Sequence, residues 1–344
     1  MKKSIRLEEK REEKLDEDGF LDILDNKQLL KKVLREGDKN SARPERGCRV
    51  TINLKTRLKG SDKLIDSHTG DKLQIFVGDY DTIHGIDLAI PLMHNGEIAN
   101  VVIAPRFGYG SLGCEPDIPP DSTLDCIVEL VDCEWMGEEI ELPIEERLKI
   151  GTEKKNRGNF WHSREEYSIS GQCYKRALDF LDVRDEEMQQ RSEGSGESNL
   201  ISKLIELKTT TYNNLAAVHL KTEAYDAALK AVNSALMLEE RNVKALFRKG
   251  KILGILGEYG EAVDILRAAL KFDPENKAIQ VELSKLLSMR KKQLANEKVM
   301  YRRMLQLDKS NASKPSKFNS LLKWSVAAAG VATAVGVVAY YINQ

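Results

Sequence analysis

The sequence predicts an α+β domain, an antiparallel half-barrel sheet around a short helix, followed by an all-α solenoid and one C-terminal transmembrane helix. Three observations predict this order. Across residues 27–136, apolar and β-branched residues alternate with period two between Gly and Pro punctuation. Across residues 143–290 the period becomes helical, and the chain resembles itself at a shift of 34 residues. Residues 324–342, WSVAAAGVATAVGVVAYYI, carry no charge and no Pro.

The 344 residues are 31% charged and 6% aromatic, an ordinary soluble composition around one membrane segment. A formal net charge of −1 provides no basic excess, so nucleic acid is not an expected partner. The five cysteines, Cys48, Cys114, Cys126, Cys133 and Cys173, show no CxxC and no zinc spacing. Free thiols are expected, with no metal and no cofactor. The opening MKKSIRLEEKREEK is charged from its second residue, so neither a secretory signal nor a transit peptide is expected.

Residues 1–26 are dense in Glu, Lys, Asp and Arg and are expected to be disordered or loosely helical. The run DEDGFLDILD departs from this pattern, with Phe20 and Ile23 three apart among acids. An extended peptide of this kind adds a strand to a partner's sheet edge and fills two pockets. The run resembles the short autophagy-receptor motif, aromatic-x-x-aliphatic after an acidic lead, which implies autophagy ubiquitin-like modifiers as partners. A second reading of Phe20 and Ile23 is a hydrophobic staple that docks the arm on the next domain.

In residues 27–136 the alternation places strands at 28–35, 48–58, 73–77, 97–104 and 122–134, with a short helix at 82–93. The stretch from Val77 to Leu130 carries Ile83 and Gly85 at a turn into that helix, then Met93, Gly96 and Glu97. Phe107, Tyr109 and Gly110 follow, and then Ile118, Pro119 and Pro120. This set of motifs is similar to the FKBP family of prolyl isomerases. An X–Pro bond isomerises over about 18–20 kcal/mol, and a dry aromatic pocket holding a twisted amide lowers that barrier. The resemblance implies a pocket with Asp66, Ile83, Tyr109 and Ile118 in family positions. Elsewhere the chain departs from the family: Ile86 stands where a Trp floor belongs, Leu54 replaces a Tyr, Ile65 a Phe, Leu73 another aromatic, and Cys126 a rear-wall Phe. A retained fold with weak or absent isomerase activity is expected. The alternative is an isomerase active on membrane-proximal clients.

In residues 143–290, Tyr225 meets Tyr259, Ala228 meets Ala262 and Ala235 meets Ala269 at the 34-residue shift. Small residues let paired helices approach. The pattern resembles tetratricopeptide repeats, with an earlier unit at 154–181 and a capping helix at 277–292. The run at 182–199 reads as a helix end with a flexible acidic loop. In tetratricopeptide domains that grip chaperone tails, Lys, Asn and Arg clamp a C-terminal carboxylate and an Asp side chain. Here Lys155, Asn159, Asn214, Lys244 and Arg248 match that set. The resemblance implies the acidic tail of heat-shock protein 90, or of its seventy-kilodalton relative, as partner.

Residues 291–323 read as a basic helix and linker. The amphipathic stretch 285–307, with Met289, Met300 and Met304, suits either calmodulin or closure of the solenoid. Residues 324–342 would span roughly 28 Å as a helix, close to a bilayer's hydrocarbon core. Trp324, Tyr340 and Tyr341 stand at its ends, as expected of a tail anchor with the bulk of the chain facing the cytosol. The order of parts resembles the membrane-anchored FKBP co-chaperones. It implies the mitochondrial outer membrane or endoplasmic reticulum, anti-apoptotic Bcl-family partners, and roles in apoptosis control and mitophagy.

Overall fold

The computed structural model describes residues 15–65, 70–193 and 198–311. The first domain is a six-stranded antiparallel sheet of β1 (Leu21–Asp22), β2 (Leu29–Arg35), β3 (Arg49–Leu58), β4 (Gly70–Phe76), β5 (Ile98–Ile103) and β6 (Leu124–Glu134), in the order β1-β2-β5-β6-β3-β4. The period-two pattern sends Val50, Ile52 and Leu54 of β3, Ala99, Val101 and Ile103 of β5, and Leu124, Cys126, Val128 and Leu130 of β6 into one core. Helix α1 (His84–Ala89) lies across that face. Gly85 permits the approach, because a Cβ there would come within 2.6 Å of Ile103 Cγ2. The helix is shorter than the expected 82–93. Pro91 lacks the N–H that a continuing α-helix would use, and the chain tightens into a 3₁₀ turn at Ile90–Leu92.

Residues 15–26 correct the expectation of a disordered arm. Leu21 and Asp22 pair with Lys31 and Leu30 of β2, and Ile23 and Leu24 pack against the sheet's core. The Asp16 carboxylate accepts from Asp18 N and Phe20 N, and the Asp22 carboxylate from Leu24 N and Lys27 N. The acids that suggest a solvated arm therefore fix its turns.

The second domain pairs α2 (Ile144–Ser163) with α3 (Tyr167–Phe180), α5 (Ser198–Lys221) with α6 (Tyr225–Leu238), and α7 (Val243–Leu256) with α8 (Tyr259–Phe272). Ala228, Ala235, Ala262 and Ala269 are fully buried at the helix contacts, as the 34-residue repeat requires. Part of the expected acidic loop is instead helix α4 (Asp185–Glu193), held where Glu187 meets the buried Arg147 at 2.6 Å. The capping helix and the basic stretch are one element, α9 (Lys277–Asn311), since no Gly or Pro interrupts them. Ile279, Leu283, Leu286 and Met289 close the solenoid, while Leu294, Val299, Met300, Met304 and Leu305 are exposed. No described helix is long and apolar enough to cross a membrane, and residues 324–342 lie outside the described residues.

Asp87 ties α1 to the end of β4 by accepting from Gly78 N at 2.8 Å. Burial pushes its carboxyl up to about 6, against the pull of that hydrogen bond. The folded chain thus holds this proton more tightly than the unfolded chain, so the Asp87 contribution to stability falls as pH rises from about 4 to about 6 and is level above. Asp87→Asn keeps the acceptor and removes the charge. It is expected to stabilise the fold by about 1–2 kcal/mol at pH 7, with no gain below about pH 4. Urea denaturation at both pH values checks this, and an equal effect at both would refute it.

Candidate functional site: a sealed cup and a cationic groove

Leu54 on β3, Ile65 beyond it, Ile83 at the start of α1, Ile86 within α1, Tyr109 and Ile118 in the loop after β5, and Cys126 on β6 converge in one buried cluster. Asp66 lies outside the described residues. Ile86 and Cys126 are 0% exposed and Leu54 and Ile65 are buried with them, so four of the lost-aromatic positions are packed without a ring, while Leu73 on β4 is 36% exposed and lies outside the cluster. Burial pushes the Cys126 thiol up to about 12, and its sulfur lies 3.8 Å from Thr56 Oγ1. Burial likewise raises the Tyr109 hydroxyl above its ordinary value. These groups supply a dry wall and no nucleophile.

Helix α2 closes the mouth of this cup. Phe160 packs against the same cluster. Arg164 donates to the Tyr109 carbonyl, and at 2.7 Å to the Gly113 carbonyl, with its guanidinium 5.7 Å from the Tyr109 ring and 5.5 Å from the Phe160 ring. Arg157 donates to the Tyr80 carbonyl at 2.7 Å and lies 4.8 Å from Phe160 and 5.0 Å from Trp161. Open space remains in a cleft of 530 Å³ between β4 and α2, with Gln74, Ile75, Thr82, Lys149 and Phe160 among its walls, and in a second of 350 Å³ walled by His84, Phe107, Tyr109, Trp161 and Arg164. Of the seven cup residues, Tyr109 alone lines either cleft.

The two domains are fastened at Lys154, which is 2% exposed. Its Nζ lies 2.8 Å from Asp79, 2.5 Å from Asp81 and 4.3 Å from the Phe76 ring. Arg176 of α3 reaches the same Asp79 at 2.8 Å and also pairs with Glu139. Sequence reasoning missed Lys154, Arg157, Phe160 and Arg164. Their signal is an aromatic pair, Phe160 and Trp161, inside a run of basic residues on one helix.

The five clamp candidates lie on three helices of the solenoid. Lys155 and Asn159 stand on α2, Asn214 on α5, and Lys244 and Arg248 on α7, the first helix of each pair. Asn159 Oδ1 accepts from Asn214 Nδ2 at 3.1 Å, which links two repeats. Among the described residues, Lys155, Lys244 and Arg248 have no carboxylate within 4.0 Å. Burial lowers the Arg248 pKa, and no charged neighbour offsets it. Cations held without anions, beside neutral amides, can bind a ligand carrying paired carboxylates. Phe20 and Ile23 are both half-buried, Phe20 with Lys32 Nζ 5.5 Å from its ring, so the motif lies against its own domain. No cluster among the described residues could hold a metal.

Residues 40–131 match the FKBP-type peptidyl-prolyl cis-trans isomerase family, and residues 243–276 match the tetratricopeptide repeat. The chain is 32% identical over 298 residues to the inactive peptidyl-prolyl cis-trans isomerase FKBP6 of Equus caballus, covering 83% of this chain and 90% of that protein. It is 29% identical over 282 residues to the peptidyl-prolyl cis-trans isomerase FKBP4 of Homo sapiens, covering 81% of this chain and 58% of that one. A multi-domain immunophilin of known structure from Arabidopsis thaliana is 25% identical, with a TM-score of 0.34, and the likeness covers 74% of this chain and 98% of that one. The chain belongs to the FKBP-type peptidyl-prolyl cis-trans isomerase family, as a member in which an FKBP domain is joined to tetratricopeptide repeats.

Proposed function

We propose that this chain is a co-chaperone adaptor whose solenoid groove binds the acidic C-terminal tail of heat-shock protein 90. The observation that supports the reading is a set of three cations, Lys155, Lys244 and Arg248, on first helices of the repeat pairs and with no carboxylate partner among the described residues. Two carboxylates close together, at a chain terminus and on an Asp side chain, are the complement of this set. In calorimetry, a Met-Glu-Glu-Val-Asp peptide is expected to bind the full chain. Lys244→Ala with Arg248→Ala is expected to weaken it at least roughly tenfold, since each charge-assisted bond contributes about 1.5–3 kcal/mol. Unchanged affinity in the double variant would sink the clamp.

The FKBP domain serves this adaptor as a scaffold with weak or no isomerase activity. Two features support that: the aliphatic filling of the cup around Ile86, and the cover formed by Phe160 and Arg164. The likeness to relatives described as inactive isomerases supports it as well. The full chain is expected to leave the isomerisation rate of an X–Pro peptide at its uncatalysed value, and a rate well above background would refute this.

The adaptor acts at a membrane, the mitochondrial outer membrane or the endoplasmic reticulum or both, held by residues 324–342. There it contributes to apoptosis control and mitophagy. Engagement of an autophagy modifier through Phe20 and Ile23 would require β1 to leave Lys32 and the sheet's core. A fluorescent fusion of the full chain is expected to mark membranes, and one lacking residues 324–344 to be diffuse. A diffuse signal from both would remove the anchor.

A further inference from the structure

We infer that Tyr174 and Asn213 are positioning residues of the groove, each using a neutral hydrogen bond to aim a ligand-facing donor without neutralising it. The inference rests on the clamp reading above. Tyr174 lies on α3, behind α2, and is 2% exposed. Its hydroxyl donates to Asn159 Oδ1 at 2.7 Å, the oxygen that also accepts from Asn214 Nδ2 at 3.1 Å. An amide whose oxygen is engaged twice cannot turn over without losing both bonds. The Asn159 Nδ2 group therefore points the other way, from an exposed position and with no partner among the described residues. The ring that carries the hydroxyl is itself fixed. It lies flush on Gly158, where a Cβ would come within 2.5 Å of Tyr174 Cε1.

Asn213 does the same for Arg248. It is 3% exposed, and its Oδ1 accepts from Arg248 Nη1 at 3.4 Å. Its Nδ2 donates at 3.3 Å to Asn242 Oδ1, the atom that caps α7 by accepting from Ala245 N at 2.9 Å. The cap thus fixes which side of the Asn213 amide faces the guanidinium. A carboxylate at this position would hold Arg248 more strongly, but it would also satisfy the charge that the ligand must satisfy. An amide gives direction and leaves the charge available.

The test is calorimetry of the full chain with a Met-Glu-Glu-Val-Asp peptide at two salt concentrations. Tyr174→Phe keeps the ring on Gly158 and removes only the hydroxyl. Affinity is expected to fall roughly three- to tenfold, the range of one ordinary hydrogen bond. In an Asn159→Ala background the same exchange should lose most of its effect, because the two residues act as one unit. Asn213→Asp should weaken binding at least about tenfold and flatten its salt dependence, by supplying Arg248 with an internal anion. Thermal unfolding monitors the fold of each variant, and Asn213→Ser, expected to weaken binding modestly with the salt dependence kept, replaces the Asp variant if that one does not fold. Wild-type affinity in the Tyr174 and Asn213 variants, or a Tyr174→Phe loss of equal size in both backgrounds, overturns this inference alone. No binding by the wild-type chain overturns the clamp reading and this inference together.

Discussion

One buried ammonium group positions everything else. Lys154 is withdrawn from water between Asp79 and Asp81. Placing an ion there is costly. Burial raises the Asp81 carboxyl even with Lys154 beside it, so the attraction only partly offsets the desolvation. Such a pair adds little stability over an apolar contact of the same shape, yet removing one partner from it costs about 3–5 kcal/mol. Its effect is therefore geometric. It permits one placement of α2 against the sheet and penalises the others.

That placement gives α2 two duties. Lys154 and Lys155 are neighbours in sequence, but successive residues on a helix are turned by about 100°. Lys154, Arg157, Phe160, Trp161 and Arg164 therefore meet the first domain, while Lys155 and Asn159 face the other helices of the groove. The sealed cup and the open groove are two sides of one rod. A motion that uncovered Tyr109 would have to break the Lys154 pair, and it would also shift Lys155 and Asn159 relative to Lys244 and Arg248. The two surfaces thus share one continuous helix.

Much of this was legible in the sequence. Period-two alternation located the sheet strands beyond the arm to within a few residues, and the 34-residue repeat located the buried alanines. The helices that carry the five clamp candidates were legible from the same repeat. What stayed hidden depended on packing between distant segments. Composition marks residues 15–26 as a solvated arm, but its acids bond to their own backbone and two aliphatics suffice to dock it. The sequence around Lys154 and Lys155 offers two identical side chains. Only the angle at which α2 meets the sheet decides which one is buried.

The buried cations of the fold and Arg248 differ in what holds them. Lys31, Arg147 and Lys154 are buried, and each is held by a carboxylate, Glu97, Glu187 and the Asp79 and Asp81 pair respectively. Arg157 and Arg164 cover the cup and bond to backbone carbonyls and aromatic faces. Arg248 belongs to neither group. It is partly buried, its one hydrogen-bond partner among the described residues is an amide, and burial depresses its pKa because nothing nearby repays the desolvation. A fold that needed this charge only for its own stability would place a carboxylate beside it, as it does three times elsewhere. Arg248 is instead left aimed but unneutralised, an arrangement that an anion from outside the fold would complete.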